Sequence, residues 1–180
     1  AAQAALQQEK PGSAIQILKP VSDIDAAANL IRGRAFFQLG SEQEGRLRLG
    51  RAAENGAPEQ RLDARVSLLE ELVTHGHAKP REVAFELDRI CYSWRGGPLE
   101  RRVLKLRFSL AKKARDDRAM LATGAALLRY HPMSGDSGML LSLLQDKLAA
   151  ILSPGSKIPL AEAAGLFWDY RDLSPSDAGG

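Results

Sequence analysis

The chain has 180 residues, 44% hydrophobic, 6% aromatic and 26% charged, with a formal net charge of +3. That length suits one ordinary domain with a core of its own, and the charge content is typical of soluble globular chains. No apolar run approaches the about 20 residues needed to cross a bilayer, and the single cysteine, Cys91, excludes an internal disulfide.

The charge is uneven. Residues 1–90 hold 12 basic and 13 acidic side chains, whereas residues 91–180 hold 13 basic and 9 acidic. Arg outnumbers Lys by 17 to 8, and Arg is the better residue for bidentate recognition of carboxylate or phosphate. No signal peptide is visible. Both ends, from Ala1 and to Gly180, read as cuts within a longer protein.

Taken in chain order, the periodicity predicts helices over 1–9, 12–20, 25–39, 42–55, 59–75, 80–94, 98–113, 116–130, 137–152 and 159–171, and no strand, because apolar–polar alternation never persists. Gly and Pro mark the turns at Pro11-Gly12, Gly40-Ser41, Gly56, Gly76, Gly96-Gly97-Pro98, His131-Pro132 and Ser153-Pro154-Gly155. Asp25 and Ser41 are the expected N-caps, and Pro80 and Pro98 suit a first turn, where no amide donor is needed. Cys91 follows Leu87 and Ile90 on a helix and reads as a small core residue. In the helix over 98–113, Leu99, Val103, Leu106 and Leu110 form an apolar stripe, and Arg101, Arg102, Lys105, Lys112 and Lys113 lie mostly off it.

Residues Ala26 to Pro58 carry the clearest pattern. Gly33 and Gly45 are small enough for two antiparallel helices to meet, Phe36 and Leu49 fill the space between, Gly40 breaks the first helix, and Ala52 completes the spacing. This stretch resembles one tetratricopeptide repeat. Such a unit cannot bury its apolar face alone, so stacked neighbours are implied. Ala14, Gly45, Val83, Ala119 and Ala163 serve as equivalent positions, at spacings of 31, 38, 36 and 44. A regular array would repeat at about 34. The expected fold is therefore all-α: a right-handed array of antiparallel helical hairpins, a degenerate tetratricopeptide-like solenoid of about ten helices. Extra residues should sit around 131–137 and 153–158. The whole of 1–180 is expected to be a single helical-repeat domain, with a hinge near 95–98.

Two further stretches, Tyr92-Ser93-Trp94-Arg95-Gly96 and Leu166-Phe167-Trp168-Asp169-Tyr170-Arg171-Asp172-Leu173-Ser174-Pro175, resemble segments of a group of long exported bacterial envelope proteins with degenerate C-terminal repeats. In that group the later motif reads as a Tyr–Arg pair before Leu-Thr-Pro with a Gly-rich continuation. The resemblance covers about half of the chain and implies a periplasmic location and a scaffold role linked to the flagellar motor. Composition leaves a cytoplasmic location open.

The chemistry-bearing residues are sparse. His75-Gly76-His77 is the one close histidine pair, and it lacks a third ligand in sequence; a helix end explains it better than a metal. Gly135-Asp136-Ser137-Gly138 has no strand before it, as a nucleophile elbow requires, and reads as a turn capping the next helix. No phosphate-cradling Gly loop is present. No catalytic residue, metal or cofactor is expected, and the chain does not read as an enzyme. Arg95 to Arg118 holds nine basic residues against Glu100, Asp116 and Asp117. Nucleic acid is disfavoured because no stacking aromatics alternate with the cations. Trp94 and Trp168 read as packing residues at helix ends.

The expected function is a scaffold that binds a segment of another, acidic protein. The first helices of the hairpins should line the inner surface, presenting Leu30, Arg34, Phe37 and Gln38 from one hairpin and Arg101, Lys105, Phe108 and Lys112 from another. The rival expectation is a helical accessory domain of a peptidoglycan-acting or other envelope enzyme whose catalytic part lies elsewhere. A third is a spacer that self-associates.

Overall fold

The computed structural model describes residues 1–77, 79–132 and 137–174. These form ten helices: α1 (Ala2–Gln7), α2 (Pro11–Leu18), α3 (Ala26–Gln38), α4 (Glu42–Asn55), α5 (Pro58–Thr74), α6 (Pro80–Ser93), α7 (Gly97–Ala114), α8 (Asp117–Tyr130), α9 (Ser137–Leu152) and α10 (Leu160–Tyr170). A short 3-10 turn, Arg171–Leu173, follows, and no strand occurs among the described residues. The all-α array of helical hairpins expected from the periodicity is what forms. Gly135, Asp136 and Pro175, on which part of that reading fell, lie outside the described residues.

The chain folds into two compact units, Ala1–Glu86 and Leu87–Gly180. In the first, consecutive helices from α1 to α5 pack on one another, and the first helices of successive hairpins also touch, α1 on α3 and α3 on α5. Asp25 caps α3 by accepting from the Ala28 amide at 2.6 Å. The helix stops at Gly40, whose φ of +75° lets its own amide reach the Phe37 carbonyl and the Ser41 amide reach the Phe36 carbonyl. Ser41 takes the N-cap position of α4, as expected, but its side chain makes no capping bond.

The α3–α4 crossing depends on two missing side chains. A Cβ on Gly33 would stand 2.6 Å from Leu49 Cγ, and one on Gly45 would stand 2.6 Å from the Phe37 ring. The small-against-large expectation holds, with one correction: Phe37, not Phe36, fills the space. Leu30, Gly33 and Phe37 form a stripe at steps of three and four facing α4 and α5, and Leu30 and Phe37 pack with Leu49, Ala52 and Ala64. The opposite side of α3 is covered too, with Ala28 against Ala2 and Leu18, and Ala35 against Leu6 and Ala14. Burying Leu49 completely is worth about 1.5–3 kcal/mol.

A buried arginine secures the end of α2. The Arg32 guanidinium donates to the carbonyls of Leu18 at 2.7 Å, Val21 at 2.5 Å and Ser22 at 3.2 Å. These lie at and just beyond the last turn of α2, where carbonyls lack helical partners and the helix dipole favours a cation.

In the second unit the core comprises Leu121, Ala125, Leu144, Leu148, Ile151 and Leu173. Its hairpins meet by the same device: a Cβ on Gly124 of α8 would stand 2.8 Å from both Leu144 methyls on α9. The stripe read in α7 is mostly buried at Leu99, Val103 and Leu110, while Arg101, Lys105, Lys112 and Lys113 are exposed. Cys91 is half-buried, and burial pushes its thiol up to about 11, so it stays protonated and weakly nucleophilic at neutral pH. Trp168 departs from the packing role expected of it. It is 66% exposed, with the Arg171 guanidinium stacked 4.5 Å above its ring.

Candidate partner-binding site

Of the eight residues expected to meet a partner, the four on α3 do not form a surface. Leu30 and Phe37 are core residues, as described above, so neither is available to a partner of the folded unit. Arg34 turns onto α5, donating to Asp63 at 2.6 Å and to the Ser67 hydroxyl at 3.0 Å. Gln38 alone of the four is exposed. The reason is that α3 is packed from both sides and has no apolar face to spare.

The four on α7 behave differently. Arg101, Lys105, Phe108 and Lys112 recur at steps of four, three and four and so share one helix face. The three cations are exposed, and none of them forms an ion pair among the described residues. Arg95, Arg107 and Arg118 of the same basic stretch are neutralised locally, by Glu100, Asp88 and Glu162 respectively. The charge available on this face is therefore narrower than the sequence suggests, and it is concentrated on α7.

Phe108 is half-buried and leans on the core of its unit. Beside it is a partly open cavity of about 220 Å³ lined by Lys105, Phe108, Leu127, Leu128, His131, Ser137 and Leu140. The walls come from α7, α8, the His131 cap of α8 and the start of α9.

One wall rests on a buried charge cluster that sequence reasoning missed. Glu100, 5% exposed, accepts from the Gly96 amide at 2.7 Å and from Arg95 at 3.3 Å, and bonds the His131 ring at 2.9 Å. Gly96 and Gly97 have φ of +84° and +71°, a conformation that side chains resist, and it brings the Gly96 amide to the carboxylate. Burial works to raise the Glu100 carboxyl; the Gly96 amide, His131 and Arg95 outweigh it and hold the group below its ordinary range. His131 caps the C-terminus of α8, where the helix dipole favours positive charge, and Glu100 lies in the first turns of α7, where it favours negative charge. The pair ties the start of one helix to the end of the next. A second cleft of about 490 Å³ is lined by Arg95, Gly96, Gly97, Glu100, Tyr130 and His131. The signal for Glu100 was its spacing of four from Gly96; nothing in the sequence linked it to His131.

The close histidine pair, His75 and His77, lies in the first unit. Its carboxylate neighbours face opposite edges of one ring: Glu42 lies 3.7 Å from His75 Nε2 and Glu71 3.6 Å from Nδ1. An ion on one nitrogen could reach only one of them. Among the described residues no group of three His, Cys, Asp or Glu is arranged to hold a metal. No described helix is long and apolar enough to cross a membrane.

No family model, curated protein or solved structure matches this chain.

Proposed function

We propose that this chain is a tetratricopeptide-like interaction module, without a catalytic step, and that its second unit binds a segment of an acidic protein partner. The observation that carries this reading is the cavity beside Phe108, apolar inside and bordered by Lys105, with Arg101 and Lys112 on the same helix face. An apolar anchor of the partner gains burial energy in the cavity, and the cations of α7 steer its approach. The surface is confined to α7, α8 and α9; the α3 residues take no part in it. The envelope setting and the link to a flagellar motor belong to the same proposal and rest on the sequence resemblance alone.

Selection from a random peptide display library on the immobilised protein tests the reading. Enriched peptides should pair an apolar residue with acidic ones. A Lys105→Glu, Lys112→Glu double variant should keep its helical circular dichroism and lose at least tenfold in affinity for them. Undiminished binding by the folded variant would reject the surface.

A further inference from the structure

The hairpin of α7 and α8 carries, at one end, a cleft that partner binding does not use. The two helices run antiparallel, so the start of α7 and the end of α8 lie together. The cleft there, about 490 Å³, is lined by Arg95, Gly96, Gly97, Glu100, Tyr130 and His131. Small-molecule sites run from about 300 to 1,000 Å³, and about 150 Å³ suffices to hold a benzene ring. The cleft therefore has room for two six-membered rings. Of its residues only His131 also lines the cavity beside Phe108.

The polar groups of this cleft have hydrogen-bonding capacity to spare and no spare charge. Arg95 and Glu100 are paired with each other at 3.3 Å, so a free anion or cation meets no unmatched partner. Arg95 commits one of its guanidinium N–H groups to that pair, and its side chain is 68% exposed. Glu100 is bonded by Arg95, Gly96 and His131, which leaves about one of the roughly four lone-pair sites of a carboxylate. The Gly97 amide stands in the first turn of α7, where no helical carbonyl is in reach. A Cβ on Gly96 or Gly97 would meet nothing within 4 Å, so this backbone faces open space. Tyr130 is 67% exposed, and its hydroxyl has no hydrogen-bond partner among the described residues.

Donors beside acceptors, balanced charge and one exposed aromatic ring suit a sugar. Its hydroxyls both donate and accept, and it carries no charge. The C–H bonds on a face of its ring present positive ends, which the negative face of an aromatic ring attracts. A nucleobase or other flat aromatic ligand would stack on the tyrosine but leave most of the donors unmet, and unmet donors cost affinity. We propose that this cleft binds a neutral mono- or disaccharide unit. Tyr130 stacks on one face of the sugar ring, and Arg95 and the Gly97 amide donate to its oxygens. The inference goes beyond the partner-binding reading and does not depend on it.

Saturation-transfer difference NMR on the full chain, with cellobiose, maltose and N,N′-diacetylchitobiose as probes, tests it. At least one of the three should receive saturation, strongest at the C–H protons of one ring face. Tyr130→Leu removes the ring and the hydroxyl at an exposed position and should weaken that signal at least fivefold. Arg95→Gln should do the same, and both variants should keep the helical circular dichroism of the parent. The Lys105→Glu, Lys112→Glu double variant should bind the sugar as the parent does. No transfer to any of the three disaccharides overturns the inference, and so does a signal that Tyr130→Leu leaves intact. Adenosine giving as strong a signal at equal concentration also overturns it, in favour of unselective ring stacking. None of these results bears on the partner-binding reading, whose failure shows instead as undiminished peptide binding by the double variant.

Discussion

At the scale of single residues, space and charge decide what each position tolerates. Gly45 and Gly50 stand in the same helix and differ only in what surrounds them. A Cβ at Gly45 meets three atoms of the Phe37 ring within 2.9 Å, whereas one at Gly50 meets nothing within 4 Å. Gly45→Ala should therefore destabilise by about 1–3 kcal/mol through overpacking. Gly50→Ala should stabilise by about 0.5–1 kcal/mol, through lower backbone entropy in the unfolded chain. Urea denaturation of the two variants checks both signs. Glu100 gives a pH prediction. Its carboxyl is held below the ordinary value of 4.5, so its contribution is present above that pH and is lost as pH falls through the lowered folded value. Glu100→Gln should cost about 1–3 kcal/mol at pH 7, and the gap to the parent should close below about pH 4. A gap that stays constant down to pH 3 would show that the carboxylate charge contributes nothing.

At the scale of elements, helix ends hold more of the specificity than helix middles. The sequence showed Asp25 as a cap, because an Asp just before an apolar helical run has one obvious use. Ser41 also stands at the expected N-cap position, before α4, but its side chain makes no capping bond there. Arg32 escaped notice altogether: in sequence it is one more cation on a helix, and only the folded unit shows it buried against the last carbonyls of α2. Arg32→Met keeps the length of the stem and removes every donor. It should cost about 3 kcal/mol, since several carbonyls lose a charged partner. Hydrogen exchange should report the loss first as weaker protection in α2. The register of α3 is the other lesson at this scale. Phe36 and Phe37 are adjacent and equally apolar, so periodicity alone cannot rank them. The α4 and α5 contacts choose Phe37, and with it Leu30, for the core.

At the scale of the whole molecule, the two units each own a core, one around Leu49 and one around Leu144. Leu49→Ala and Leu144→Ala should each cost about 2–5 kcal/mol, because both side chains are wholly buried. Amide exchange should show the Leu49 change first within Ala1–Glu86 and the Leu144 change first within Leu87–Gly180. Simultaneous, equal loss of protection in both units by either variant would contradict separate cores.

By itself the sequence determined the elements of this protein: the ten described helices, the turns between them, and Gly33 and Gly45, at which α3 and α4 cross; Gly124, which serves the same purpose in the second unit, was not legible in it. These follow from local rules, since periodicity, glycine freedom and proline geometry act over a few residues. Half of the candidate site was legible in the same way, because Arg101, Lys105, Phe108 and Lys112 share a face by helical spacing alone. The tertiary structure decided what spacing cannot reach. It buried Leu30 and Phe37, tied Arg34 to Asp63, and brought Glu100 to His131 across 31 residues to make one wall of a cavity. Periodicity says which residues lie on one side of a helix; only the packing of neighbouring helices says whether that side meets water, a core or a partner.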